Sequence, residues 1–322
     1  MFTRIKSYAK KLTQENISIK STMAAGALSA LCLSGAMAQA QTVPIAVGID
    51  PTFVSFFVAK DQDLFQKHGV DVKLVTFGPG GAMVDGMMAG QAVMTASTET
   101  THLIRMPHAD IRPVGIVGES GDNLKLVSRA EITDPAQIKT YGVVPGGVFE
   151  YLTSLSTEKF NGTDAKLAQV KSGPPELPAL LLRGDVDAFW LFEPFPTMVK
   201  RQGGNILASS KDVGYTYATW VSAMGPWLES NPEQAKKVLD ALAEACEITT
   251  ADPALAAAAV EKQVRIPKQQ TLEFLRETQC QMRGFTEEDL NGYDRIADFL
   301  QDRKITTQRV SFRDKVAMGF YP

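Results

Sequence analysis

Short apolar runs, each closed by a glycine- or proline-marked turn and followed by an apolar stripe at helical spacing, alternate along the chain up to about Gly225. Val43–Ile49 reads as a buried strand. Pro51 then opens a helix whose apolar face is Phe53, Phe56, Phe57 and Leu64, ended at His68-Gly69 because glycine accepts the left-handed C-terminal conformation. Val70–Phe77 is the next strand. It runs into Gly78-Pro79-Gly80-Gly81 and a helix carrying Met83, Val84, Met87 and Met88, which Gly90 stops before a strand at Ala92–Thr95. The same order returns as strand Tyr141–Val144, turn Pro145-Gly146-Gly147, a helix from Val148, strand Ala168–Lys171, turn Gly173-Pro174-Pro175, a helix stopped by Gly184, and strand Val186–Trp190. Pro51 to Pro145 is 94 residues, Gly78 to Gly173 is 95 and Gly90 to Gly184 is 94, so the punctuation marks a duplicated unit. Strands alternating with helices imply parallel sheets with right-handed crossovers, and two such units imply two related lobes. Beyond Gly225 the pattern turns to helices only, with N-cap signals at Asn231-Pro232, Asp252-Pro253 and Thr286-Glu287.

The N-terminus departs from this pattern. Arg4, Lys6, Lys10, Lys11 and Lys20 precede an apolar stretch of small residues from Met23 to Met37, and Ala36-Met37-Ala38-Gln39-Ala40 follows. This is the layout of a secretory signal peptide, with cleavage expected after Ala38 or Ala40. Cys32 follows Leu31, where lipid modification needs a small residue, so it belongs to the discarded leader. Without the five Lys/Arg and one Glu of residues 1–40, the formal charge moves from -3 to -7, the expectation for an acidic periplasmic protein. Clustered Lys/Arg for a nucleic-acid backbone are missing, and no apolar run is long enough for a bilayer span. Only Cys246 and Cys280 survive cleavage; an oxidising compartment permits their pairing, and two buried thiols are the alternative.

The chain has no Gly-x-Ser-x-Gly, no phosphate loop, no His-Glu-x-x-His and no Cys-x-x-Cys, and its three histidines His68, His102 and His108 suggest neither a metal site nor a catalytic base. A binder is expected, not an enzyme, with no cofactor and no metal. Ligands of open parallel sheets sit beyond the carboxyl ends of the strands, beside free helix N-termini. That places the candidate ligand residues at Asp50, Thr52 and Phe53; Gly80, Gly81 and Ala82; Ser97, Thr98 and Glu99; Gly146, Gly147 and Val148; and Trp190 and Glu193. Trp190 is read either as a ring that stacks on a flat ligand or as a core side chain. Glu193 is a hydrogen-bond acceptor or a helix cap, and the Thr/Ser hydroxyls are ligand contacts or capping groups.

Phe57-Val58-Ala59-Lys60 with Leu64-Phe65-Gln66-Lys67-His68-Gly69-Val70-Asp71-Val72 resembles the signature of solute-binding proteins of ABC importers for nitrate, sulfonates, taurine and thiamine-pyrimidine precursors. Gly80–Gly90, Asp134–Lys139, Leu182–Ala188 and Glu193-Pro194 continue the likeness in order, over roughly Val43–Trp220. The resemblance implies a type II periplasmic-binding fold, α/β in two lobes with a helical C-terminal completion. Lobe 1 is then residues 41–128 with 220–322, and lobe 2 is 129–219, with crossings near Leu126–Arg129 and Thr219–Ser222. It also implies a monomer that traps a ligand by hinge closure and delivers it to a permease with its ATPase subunit. Glu99 and Glu193 near the cleft, with only Arg105 and Arg129 as candidate cations, favour a sulfonate or an organic or aromatic carboxylate over nitrate, with a pyrimidine-like heterocycle next. A ligand-sensing domain and an enzyme on the same fold are the rival classes.

Overall fold

The computed structural model describes residues 42–78 and 81–322. The leader, with Cys32 and both cleavage positions, and the candidate Gly80 lie outside them. The strands are β1 (Val43–Val47), β2 (Val72–Thr76), β3 (Met94–Thr98), β4 (Ile111–Ser120), β5 (Lys125–Ser128), β6 (Thr140–Val143), β7 (Ala168–Lys171), β8 (Ala188–Leu191), β9 (Asn205–Ser209), β10 (Tyr217–Met224) and β11 (Gln279–Arg283). They form two sheets, ordered β11-β4-β10-β3-β1-β2 and β7-β6-β8-β5-β9. In the first, β1 lies parallel between β2 and β3; in the second, β6 lies parallel between β7 and β8. The repeated turn spacing thus corresponds to a repeated strand arrangement. Each parallel triple is extended by an antiparallel strand, β10 against β3 and β5 against β8.

The chain passes between sheets twice, at 121–124 and 210–216, a few residues before the positions expected from the sequence. Lys125–Ser128 form a full ladder with β8 and β9, and Tyr217–Met224 pair along β3 and β4, so neither segment is a free crossing. The two passages are stitched together. Lys211 N donates to Gly121 O at 2.9 Å, Ser210 N to Leu124 O at 3.0 Å, Ser210 Oγ to Gly121 O at 3.0 Å and Lys211 Nζ to Asp122 Oδ2 at 2.8 Å.

The expected helix from Pro51 to His68 is broken. A turn of 3-10 helix at Pro51–Phe53 leads into Val54–Asp61, and Asp63 at φ 53° separates this from Leu64–Lys67. His68, at the end of the last segment, pairs its Nε2 with Glu244 Oε2 at 2.8 Å, docking that corner on the helix Pro232–Ala251. The C-terminal part is not all helix: Gln279–Arg283 is an edge strand on β4. That strand brings Cys280 to Cys246, and the two form a disulfide, which removes the alternative of two free thiols. The C-terminal helices complete the first sheet, where Trp220 of β10 is wholly buried against Tyr293 and Phe312 at 4.6 and 4.4 Å between ring centroids.

The helix Glu287–Asp302 starts in a reciprocal cap in which Asp289 N donates to Thr286 Oγ1 at 3.2 Å and Thr286 N to Asp289 Oδ2 at 2.8 Å. Thr286→Ala is expected to cost about 1 kcal/mol, read as a lower urea midpoint at unchanged slope. Among the described residues no helix is long and apolar enough to cross a membrane.

Candidate functional site

Five of the six loops that follow the carboxyl ends of the parallel strands carry the candidate residues. After β1, Asp50 caps the short turn, its Oδ1 accepting from Thr52 N at 2.9 Å. Asp50 and Thr52 are half-buried, and the Tyr217 hydroxyl of β10 lies against the Thr52 side chain. Phe53 is a correction: it is 2% exposed and packs so closely on Gly48 that a Cβ there would fall 2.6 Å from its ring. It belongs to the core.

After β2, Gly81 precedes the helix Ala82–Met88. Arg105 covers it, so that a Cβ on Gly81 would fall 1.9 Å from Nη2 and would have to displace the guanidinium. The guanidinium is itself bound by Asp85, Nε to Oδ1 at 2.6 Å and Nη2 to Oδ2 at 3.0 Å. This pairing holds the Asp85 carboxyl below its usual range. Arg129, the other candidate cation, sits at the amino end of β8 on Asp187, away from these loops. Neither arginine is free for a ligand anion.

After β3, Thr98 caps the helix Glu99–Arg105. Its Oγ1 accepts from Thr101 N at 3.2 Å and lies 2.8 Å from Thr101 Oγ1 and 3.2 Å from Thr100 Oγ1, so the hydroxyls cap first and are partly spent. Ser97 and Glu99 are buried, Glu99 completely. After β6, Gly146 adopts φ 82°, a conformation that favours glycine, and Gly147 caps the helix Val148–Asn161 without a side chain. Glu150 folds back over this start, its Oε2 accepting from Gly146 N at 3.0 Å. An internal carboxylate thus occupies one donor of a loop that is otherwise suited to an anion.

After β8 the expected roles exchange. Trp190 is 1% exposed, and its indole N–H donates to Ser156 Oγ of the overlying helix at 3.1 Å. It is a core residue and cannot stack on a ligand. Glu193 is exposed and caps the helix Phe195–Arg201 by accepting from Thr197 N at 3.1 Å. The exposed ring is Phe192, at 43%, standing 5.9 Å from Phe149 and 6.1 Å from Phe195. Ile49, 45% exposed, holds the corresponding place after β1. These apolar residues were absent from the candidates, although an aromatic directly past a strand end was a readable signal.

Phe149 and Phe192 join the last two loops, and Tyr215 of the second passage touches both Glu99 after β3 and Tyr151 after β6. A surface cavity of about 320 Å³ beside Arg129, Leu182 and Arg183 opens at the opposite, amino edge of the second sheet. Its arginines are paired with Asp187 and Asp185. Among the described residues no group of three or more His, Cys, Asp or Glu is placed to hold a metal ion.

Two parallel units joined by paired passages, with all five candidate loops at the carboxyl edges, define the type II periplasmic-binding-protein fold. The chain belongs to the NMT1/THI5-like family, whose model matches residues 50–256. Among solved structures, it is similar to the periplasmic aliphatic sulphonate binding protein SsuA of Escherichia coli, with TM-score 0.75 and 17% identity over 85% of this chain and 96% of that one. It is also similar to the alkanesulfonate-binding SsuA of Xanthomonas axonopodis pv. citri bound to MOPS, with TM-score 0.65 and 14% identity over 86% and 98%. The desulfurization enzyme DszB, as a mutant in complex with biphenyl-2-sulfinic acid, shares the fold at TM-score 0.60 and 14% identity over 87% and 97%. No curated protein matches the chain in sequence.

Proposed function

We propose that this protein is the solute-binding component of an ABC importer. It is exported, is cleaved near Ala38 or Ala40, and works as a monomer that captures a small organic molecule between two lobes and hands it to a permease with its ATPase subunit. The lobes are those expected from the sequence, 41–128 with 220–322 and 129–219, adjusted to the passages at 121–124 and 210–216. The observation that carries the reading is this pair of mutually hydrogen-bonded passages, which lets the loop-bearing edges hinge toward each other about one seam. Asp50, Thr52, Gly81, Ala82, Thr98, Gly147 and Val148 are the polar and backbone contacts of the cleft, and Phe149, Phe192 and Ile49 form its apolar side. A micromolar ligand needs only about 8 kcal/mol, within reach of a few hydrogen bonds and one stacked ring.

The ligand class follows from the likeness to SsuA and the apolar side: an organic sulfonate or an aromatic or organic carboxylate. A second reading, a neutral pyrimidine-like heterocycle, is favoured by the commitment of Arg105 to Asp85 and of the Gly146 N–H to Glu150.

Mass spectrometry of the compound that co-purifies, followed by a thermal-shift screen of sulfonates, carboxylates and pyrimidines, tests the function. A saturable rise in melting temperature with one class supports it, and chemical turnover of the bound compound overturns it. Phe192→Ala is expected to weaken the best ligand about tenfold in calorimetric titration, the worth of one aromatic contact, while leaving the ligand-free melting temperature unchanged. Unchanged affinity would remove the loop after β8 from the site.

A further inference from the structure

Glu99 opens the helix that follows the Ser97-Thr98 loop, yet it has no exposed surface. One of its oxygens accepts the Tyr215 hydroxyl and the other accepts Ala218 N at 3.3 Å. Tyr215 lies on the second passage between the sheets and Ala218 opens onto β10, so one carboxyl ties a cleft loop to the hinge. The tie continues into the other lobe. The Tyr215 ring meets Tyr151 edge-on at 5.9 Å, and Tyr151 stands in the first turns of the helix behind the Gly146-Gly147 loop. Tyr151 also rests against Phe299 of the C-terminal helix at 4.9 Å.

The geometry points to Glu99 as a positioning residue that couples the β3 ligand loop to the second passage through Tyr215, so that its protonation state sets how firmly the passage, and with it the separation of the lobes, is held. The inference rests on the reading of a hinge-closing solute-binding protein. As a carboxylate, Glu99 accepts both donors strongly; once protonated it holds them less.

The groups that face Glu99 leave it free to change charge. On its own helix, burial drives His102 down to about 4, so that ring is neutral, and Arg105 is bound by Asp85. Tyr215 of the passage, Tyr217 of β10 and Tyr293 of the C-terminal helix are all held above the usual tyrosine range, chiefly by burial, and stay protonated. Tyr151 of the second lobe is likewise raised by burial. Asp50 lies beyond Tyr217. Among the described residues no cation bears on it, since Arg295 of the C-terminal helix acts on Tyr151, and burial pushes Glu99 up to about 7 despite its hydrogen bonds.

Two ligand-free measurements test this across pH 6 to 8 on the mature protein. Amide exchange, corrected for intrinsic rates, is expected to show protection at Ala218 falling about five- to tenfold from pH 8 to pH 6, with the radius of gyration from small-angle scattering changing over the same range. Glu99→Gln is expected to abolish both transitions. Tyr215→Phe removes a hydrogen bond that lowers the Glu99 pKa, so its transitions move to higher pH. A flat wild type, a transition retained in Glu99→Gln, an unmoved midpoint in Tyr215→Phe, or exchange that changes while the radius stays fixed each overturns the coupling. None of these readouts involves a ligand, so their failure is distinguishable from failure of the solute-binding reading.

Discussion

Replacing Cys246 and Cys280 together by serine is expected to cost about 3.8 kcal/mol, the chain-entropy value for a closed loop of their sequence separation, 34 residues. For a chain of this size that corresponds to a melting temperature lower by roughly 6–10 °C. The crosslink joins the helix Pro232–Ala251, which carries Cys246, to β11, the edge strand of the first sheet among the described residues, with a register shift between Cys280 and Arg283 on its inner side. So weak a ladder gives the strand little independent hold on β4. Calorimetry of the wild type, the reduced wild type and the double-serine variant checks the prediction. The last two should coincide, because the loss comes from the missing crosslink and not from the serine side chains. Equal melting temperatures for the oxidised and reduced protein would show that β11 is held without the bond. The disulfide also bears on location, since such bonds persist in oxidising compartments and agree with the proposed export.

The parallel units were legible because their turns are marked locally: Gly146 adopts a positive φ, a requirement written in residue type. The exchange of Trp190 and Phe192 was not. Both residues lie at or just past the end of β8, and which ring turns inward depends on the helix Val148–Asn161 covering that face and offering Ser156 to the indole, a tertiary fact. The strand β11 did carry a signal, since Gln279-Cys280-Gln281-Met282 alternates exposed and buried side chains. Helical periodicity on both sides masked it. The crossings were displaced for a similar reason: Leu126-Val127-Ser128 reads equally well as a linker or a strand, and only its ladder with β8 and β9 decides. Among the loop residues, those that shape a backbone turn, such as Gly146 and Gly147, carry a signature in residue type. Tyr215, which reaches across 116 residues to Glu99, has no local signature at all.

Arg283→Met is expected to be nearly as damaging as losing the disulfide, at about 3 kcal/mol near neutral pH, toward the low end of the range for breaking a buried ion pair. The guanidinium bridges two carboxylates: Nε and Nη2 donate to Glu119 at 2.7 and 2.6 Å, and Nη1 and Nη2 donate to Asp289 at 2.6 and 3.1 Å. Side-chain exposures of 24% for the arginine, 21% for Glu119 and 15% for Asp289 mean that removing the cation leaves two largely dehydrated carboxylates facing each other. Burial alone would raise Asp289, but the Arg283 and Thr286 donors outweigh it and hold its carboxyl below the usual range. A depressed carboxyl contributes stability that is complete above its unfolded pKa of about 3.9 and is lost as pH falls through the lower folded value. In Arg283→Met only the Thr286 donors are left to oppose burial, so ionised Asp289 loses most of what it contributes to the folded state as pH rises. The gap between wild type and variant should therefore be widest at pH 7 and shrink toward pH 3 in urea titrations at the two pH values. Arg283→Lys, which keeps the charge but not the forked geometry, should fall between them. Because Arg283 and Cys280 secure the same strand, the double-serine and Arg283→Met losses should not add, and a double-mutant cycle should show a coupling well outside the few tenths of a kcal/mol expected of independent sites. Strict additivity, or an Arg283→Met gap that does not change with pH, would mean that the ion triad stabilises the start of the helix Glu287–Asp302 and not the docking of β11.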